Sequence, residues 1–432
     1  MTAVIYALGV AAFLLGVAIS IALHECGHMI PAKRFGVKVT QFFVGFGSTV
    51  WSTRCGETEY GLKAIPLGGY VKLVGMLPPA PGDDPHALRS TDTGLFTQLV
   101  SDARAAEYET ITKADEPRLF YRLPWYKKVV VMAGGPLVNV VIAAVLFGVV
   151  FMGFGVEQPS TSIATVSDCA ISDAEAGRTC TDADPITPAK QIGLQPGDEI
   201  VAFGGTKVDD WTALTRLIRD NGGDPTTITY IRDGREQTVD VTPSVVERLA
   251  IDDPERVEDV GFLGVSPEWT RQRQGPLVVG EAMWETTKET GEAIAHLPVR
   301  MIDVVKAAFG QDRPQDSPIS IVGASRVAGE LVTVDEPTWA ERAQRVLLLL
   351  ANLNLFLAMF NFVPLLPLDG GHIAGALWEG LRSRWARWRG KPDPGPVDVA
   401  RMLPVAYVVG AVLIVMSVVL IYADIVNPVS VT

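Results

Sequence analysis

Twenty uncharged residues, Val4 to Leu23, run directly into His24-Glu25-Cys26-Gly27-His28. A run of that length spans the hydrocarbon of a bilayer as a helix, which commits this end of the chain to a membrane. Ionisable side chains at membrane depth are unfavourable, and three of them crowded behind one span need a compensating partner. A single cation compensates all three. On a helix His24 and His28 project from one face and can share a metal, while Glu25 lies beside them, placed to take a proton from a water that the metal activates. The plainer reading, two histidines capping a hydrophobic anchor beside a chance glutamate, leaves them uncompensated.

Of the 432 residues 48% are hydrophobic, and the mean hydropathy is positive. Three further uncharged runs account for this, Val129 to Val156, Val346 to Leu368 and Met402 to Tyr422. Each crosses about 30 Å of hydrocarbon at about 1.5 Å per residue. The chain is therefore expected to be a polytopic α-helical membrane protein with four transmembrane helices.

Loop charge orients them. Residues 31–128 carry 13 Lys/Arg against 10 Asp/Glu and residues 375–402 carry 6 against 3, whereas residues 157–345 carry 18 against 33. Basic loops stay cytoplasmic, so the acidic segment and both termini are expected outside. The net charge of −12 describes that one segment and gives no sign of a nucleic-acid partner, so none is expected. Met1 to Leu23 holds no Lys or Arg, so this first span reads as a retained helix rather than a cleaved signal. Cys169 and Cys180 fall in the outer segment, where a disulfide is permitted; Cys26 and Cys55 read as free thiols.

A catalytic zinc needs a third protein donor. His86 and His296 lie in polar surroundings and read as solvent-exposed. Asp369 ends the third uncharged run, in Asn361-Phe362-Val363-Pro364-Leu365-Leu366-Pro367-Leu368-Asp369-Gly370-Gly371-His372. The orientation above brings it to the same depth as His24 and His28. Pro364 and Pro367 would break the helix there, which membranes tolerate only beside protein or a watery cavity. Asn361 is placed to donate its amide to a developing oxyanion. Asn352 and Asn354 read as helix-helix hydrogen bonds, and His372 as a supporting or loop residue.

Val37 to Gly75 interleaves apolar residues with glycines and reads as β-hairpins, either a membrane-associated β-hairpin region or a plain cytoplasmic β-subdomain; one edge could hold a substrate extended by strand addition. The polar stretch from Pro78 to Glu116 reads as a disordered insertion. Residues 159–245 read as strands around two helical pieces, with Trp211, Leu214, Leu217 and Ile218 at helical spacing and a hairpin about Arg232-Asp233-Gly234-Arg235. Residues 280–308 are amphipathic. Trp378, Trp385 and Trp388, interleaved with Arg382, Arg384, Arg387 and Arg389, suggest an interfacial helix.

Together these residues resemble the site-2 protease family, the intramembrane zinc metalloproteases of regulated intramembrane proteolysis, in its bacterial branch with one PDZ domain. The likeness rests on His24 to His28, on Asn361 to Gly370, on Tyr60-Gly61-Leu62-Lys63-Ala64-Ile65-Pro66-Leu67-Gly68-Gly69-Tyr70-Val71 and on Ala133-Gly134-Gly135-Pro136-Leu137-Val138-Asn139. Ser317-Pro318-Ile319 departs from the Gly-Pro-Ile common in relatives. The resemblance implies one zinc per chain held by His24, His28 and Asp369, Glu25 as general base and Asn361 as a substrate or oxyanion contact. It also implies that the outer α/β domain is a PDZ domain, which either binds extended peptide ends by strand addition or acts as a steric gate, the gate being the favoured reading. The substrate implied is a single-pass membrane protein such as an anti-sigma factor, cut after an earlier extracytoplasmic cleavage, in the bacterial inner membrane.

The expected order is a first span with the zinc motif over residues 1–30, a cytoplasmic hairpin region and insertion over 31–128, and a second span over 129–156. An extracytoplasmic α/β domain over 157–250 and an amphipathic segment over 251–345 follow. The third span, 346–374, a cytoplasmic loop, 375–401, and the fourth span, 402–423, complete the chain. Rival readings are a metal transporter, which predicts more polar residues along its spans, and a membrane-anchored PDZ scaffold without peptidase activity. No motif fixes the oligomeric state.

Overall fold

The computed structural model describes residues 2–79, 95–108, 111–172, 178–181, 183–250, 256–311, 313–314, 317–334 and 337–429. Two compact units emerge, one built from Met1–Phe154 and Gly275–Thr432, the other from Gly155–Gln274. Among the described residues four helices, Thr2–Arg34, Trp125–Phe154, Trp339–Phe362 and Val399–Val426, are long and apolar enough to cross a membrane. Leu15, Ile19, Val141, Val145, Val412 and Ile414 all point outward from them. In water that would be a large exposed apolar patch; in lipid it is the expected surface.

Helix α1 (Thr2–Arg34) leads into strands β1 (Val39–Cys55) and β2 (Thr58–Leu73). The segment Gln41 to Val44 of β1 pairs with both ends of β2, with Glu59 to Leu62 on one side and Gly69 to Lys72 on the other, while Thr49 to Cys55 pairs with Thr58 to Lys63. The two strands therefore fold into a four-stranded layer, order 49–55, 58–63, 41–44, 69–72. The bends fall at Gly45, Gly47 and Gly68, whose φ angles of 96°, 88° and 90° disfavour any residue with a Cβ. One edge of the layer is the segment from Gly69 onward.

Helix α2 (Leu95–Tyr108) and a 3₁₀ turn at Lys113–Arg118 stand where a disordered insertion is expected from composition, which corrects that expectation for its described part. The reason is specific anchoring. The Glu107 carboxylate accepts the backbone N–H of Met76 at 2.6 Å and of Leu77 at 3.2 Å, and Arg104 pairs with Asp398. Residues 80–94, including His86, lie outside the described residues. Helix α3 (Trp125–Gly148) continues as a π-helical turn, Val149–Phe154.

The second unit starts with β3 (Val156–Val166). It continues through α4 (Pro188–Gln191), β4 (Glu199–Phe203), β5 (Thr206–Lys207), α5 (Trp211–Asp220), β6 (Thr226–Arg232), β7 (Arg235–Val241), β8 (Ser244–Leu249), β9 (Val257–Phe262) and β10 (Val265–Gln272). Its main sheet runs β10-β3-β4-β6-β7, with β5 on β4, and β8 pairs with β9. Leu214 and Ile218 of α5 bury against Ile163, Ile200, Phe203 and Ile228. The β6–β7 turn uses Asp233 and Gly234, both at positive φ, the backbone that a two-residue hairpin requires. Cys169 and Cys180 are joined by a disulfide. The unit extends to Gln274, beyond residue 250, because β10 returns to pair with β3.

The chain then re-enters the first unit as α6 (Pro276–Ala308), α7 (Ile321–Leu331), α8 (Trp339–Phe362), α9 (Asp369–Trp388) and α10 (Leu403–Val426). The expected span 346–374 is thus two helices: α8 stops at Phe362, and Asp369 opens α9 rather than closing α8. Pro364 and Pro367 occupy the break, as their missing N–H groups dictate. Phe13 and Val17 of α1 pack with Ala328 of α7, with Val332 just past its end, and with Val346 and Leu350 of α8. Asp424 of α10 pairs with Arg313 at 2.8 Å, both side chains fully buried, and accepts the Ser320 and Gly323 N–H groups at the start of α7.

Candidate metal centre

Helices α1 and α3 cross at a glycine-glycine contact. A Cβ on Gly134 would stand 2.0 Å from the Gly27 carbonyl oxygen, and one on Gly27 would stand 2.4 Å from that of Gly134. Such an approach is open only to glycine. It brings the next residue, Gly135, under the α1 histidines.

His28 is buried, and its Nδ1 donates to the Val131 carbonyl at 2.9 Å. That bond fixes the tautomer and leaves the Nε2 lone pair free. The Nε2 atoms of His24 and His28 stand 3.2 Å apart. Asp369 Oδ2, at the first residue of α9, lies 3.4 Å from His24 Nε2 and 3.3 Å from His28 Nε2. Donors about 2.0–2.1 Å from a tetrahedral zinc stand roughly 3.3 Å from one another, so the three atoms match the edges of a zinc site. Two imidazole nitrogens and a carboxylate are also the donor chemistry zinc prefers. Among the described residues this is the one group of three His, Cys, Asp or Glu side chains so arranged.

Glu25 is buried beside this cluster. The edge segment of β2 covers it: a Cβ on Gly69 would stand 3.1 Å from Glu25 Cγ, and the Val71 backbone amide faces the carboxylate. Asn361 lies half-buried in the last turn of α8, and its amide has no hydrogen-bond partner among the described residues. Asn354 Nδ2 donates to Ser20 Oγ at 3.0 Å, a helix-helix bond; Asn352 is exposed. His372, one turn along α9 from Asp369, lines a small cavity with Met76, Phe120, Lys128 and Glu379. Lys128 and Glu379 pair there at 2.7 Å. His296 is exposed on α6.

Gly135 is absent from the residues singled out by sequence as part of the site. A Cβ there would stand 2.3 Å from His28 Nε2 and 2.7 Å from His24 Nε2. Its signal was present in the Gly-Gly-Pro run of Ala133 to Asn139, but nothing local says what lies above those glycines.

An apolar helical unit carrying a buried glutamate beside a histidine-histidine-aspartate cluster defines a class, the membrane-embedded metallohydrolases. Comparison with known proteins narrows it. The model of peptidase family M50 matches residues 12–392. The chain is 36% identical over 444 residues to zinc metalloprotease Rip1 of Mycolicibacterium smegmatis, covering 99% of each chain. It is 34% identical over 439 residues to zinc metalloprotease Rip1 of Mycobacterium tuberculosis, covering 98% of each. The chain belongs to peptidase family M50, the site-2 proteases, and is a zinc metalloprotease of the membrane.

Proposed function

We propose that this protein cleaves the membrane-spanning segment of single-pass membrane proteins, and that His24, His28 and Asp369 hold its zinc. The observation that carries this reading is the triangle of donor atoms, with edges of 3.2, 3.3 and 3.4 Å, set beside a buried glutamate. Bound there, zinc supplies Lewis-acid activation of water and of the scissile carbonyl. Glu25 takes the proton of the attacking water and passes it to the leaving amine nitrogen. Val131, through His28 Nδ1, keeps the ring turned toward the site. Asn361 donates its amide to the developing oxyanion, supported by its having no competing partner among the described residues.

A transmembrane substrate is a helix with its carbonyls engaged, so it must be unwound before attack. The Gly69–Lys72 edge, in contact with Glu25 through Gly69, offers backbone groups to an extended chain by strand addition. The four long helices cross the membrane with both termini and the Gly155–Gln274 unit outside, as loop charge directs. That unit is a PDZ domain whose bulk excludes untrimmed substrates, so the enzyme makes the second cut of a cascade, with an anti-sigma factor as the substrate in a bacterial inner membrane. Loss of the second unit should then permit cleavage of untrimmed substrate.

The test is co-expression with single-pass membrane reporters, including an anti-sigma factor trimmed on its outer side, comparing wild type with Glu25→Gln. Release of a cytoplasmic fragment by wild type alone is the expected result. Absence of a fragment from every trimmed reporter, with zinc bound and the protein intact in the membrane, overturns the proposal.

A further inference from the structure

Helix α9 has two faces with different tasks. Ala376, Gly380 and Ser383 are buried, and the Gly380 position lies directly against the Trp125 indole of α3, where a Cβ would stand 2.6 Å from the ring. The Lys128–Glu379 pair locks the same face. Leu377, Trp378, Leu381, Trp385 and Trp388 recur at helical spacing on the opposite face, all exposed, Trp388 to 83%. No described element covers them.

Basic side chains border this stripe. Arg384 stacks over the Trp125 ring, 5.3 Å from its centre, and Arg389 over the Trp385 ring, 4.6 Å from its centre. Lys391 follows at the helix end. Among the described residues Arg384, Arg389 and Lys391 make no ion pair with a carboxylate, so their charges are available. Amphipathic rings flanked by uncompensated cations fit the boundary between acyl chains and headgroups, where the rings meet hydrocarbon and the cations meet phosphate. The helix also belongs to a unit whose other long helices present apolar surface outward, which continues the lipid-facing surface onto this stripe.

We propose that this face of α9 is a binding surface for anionic phospholipid: Leu377, Trp378 and Leu381 insert among acyl chains, and Trp385 and Trp388 with Arg384, Arg389 and Lys391 grip headgroup phosphates. Asp369 is the first residue of the same helix, and the Gly380–Trp125 contact ties that helix to α3, which carries Gly135. An anionic lipid held at the far end therefore steadies the helix that presents Asp369. The proposal concerns lipid binding and stands or falls independently of proteolysis.

The test uses purified full-length, zinc-loaded protein in mild detergent, titrated with phosphatidylglycerol or phosphatidylcholine, with bound lipid counted by native mass spectrometry. Wild type is expected to retain phosphatidylglycerol in preference. A triple variant, Arg384→Gln, Arg389→Gln and Lys391→Gln, should lose at least tenfold of that preference, since each cation near an anionic surface contributes roughly fivefold. A second variant, Trp385→Ser with Trp388→Ser, should lose retention of both lipids at this face; zinc content in the same spectra reports that the variants are folded. No preference in wild type, or unchanged preference in folded variants, overturns the proposal. So does displacement of the lipid by inorganic phosphate alone, which would assign the surface to a free anion. A dimer mass abolished by the tryptophan variant would assign it to a second copy of the chain.

Discussion

Gly135 of α3 lies under His28 of α1 so closely that a Cβ there would stand 2.3 Å from the Nε2 atom. If His28 holds zinc as proposed, the absent side chain leaves the space beside that nitrogen open to the metal. Gly135→Ala is expected to weaken zinc binding by roughly 10–100-fold, the range for disturbing groups that orient metal ligands. Zinc titration of the purified protein, with helicity followed by circular dichroism, separates this from unfolding. Unaltered zinc affinity in a folded Gly135→Ala protein would remove Gly135 from the site.

Glu25→Gln keeps the shape of the side chain and loses its basicity. Peptide-bond cleavage should fall by about 10²–10⁴-fold while zinc content stays at the wild-type level. A loss of zinc with Glu25→Gln would instead assign Glu25 to the ligand set.

Removing the metal should abolish cleavage, and adding zinc back should restore it, because the proposed donors are neutral imidazoles and a carboxylate that bind reversibly. Asp369→Ala should lower zinc content as His28→Ala does. If Asp369→Ala retained full zinc while cleavage vanished, its place opposite the histidines would reflect a different role.

Asn361→Ala tests the oxyanion contact. Removal of one such donor lowers kcat by roughly 10²–10³-fold with little change in KM. An unchanged kcat would return Asn361 to ordinary packing at the end of α8.

Away from the membrane helices, Lys38 donates to Asp115 at 2.8 Å, and the Thr112 hydroxyl and N–H also donate to it. Lys38, with Thr112, holds the Asp115 carboxyl at about 2, below its ordinary 3.8. Because the folded value is depressed, the carboxylate's contribution to stability is present above about pH 4 and is lost as pH falls toward about 2. Asp115→Asn should therefore lower the thermal midpoint at neutral pH, and the gap from wild type should close across that window. A gap that persists at its neutral-pH size down to the acid end would show that the pair contributes nothing through its charge.

Much of this was written locally. The uncharged runs announce four long helices because lipid demands about twenty apolar residues in a row, a constraint visible in any window of the chain. The Arg232–Arg235 hairpin and α5 were equally legible, since turn chemistry and helical spacing are properties of neighbours. The break between Phe362 and Asp369 was signalled by its prolines, yet the start of a new helix at Asp369 was not, because helix restart depends on what α9 packs against. The α2 helix was missed for a related reason: its polar composition resembles disorder, and its anchors, Met76, Leu77 and Asp398, are supplied from outside it. The extension of the second unit to Gln274 rests on β10 pairing with β3, about a hundred residues earlier in the chain, a distance over which pattern carries no register.

The sequence by itself determined that this chain enters a membrane and places two histidines and a glutamate at one end of a span, because hydrophobic length and the spacing of residues along a helix are local. The sequence also pointed to Asp369 as their partner, and only the tertiary structure decided how closely its carboxylate approaches them, why Gly135 must be glycine and which strand edge lies over Glu25. Those facts depend on how closely α1, α3, α9 and β2 approach one another, and close approach is set by the packing of side chains far apart in the chain.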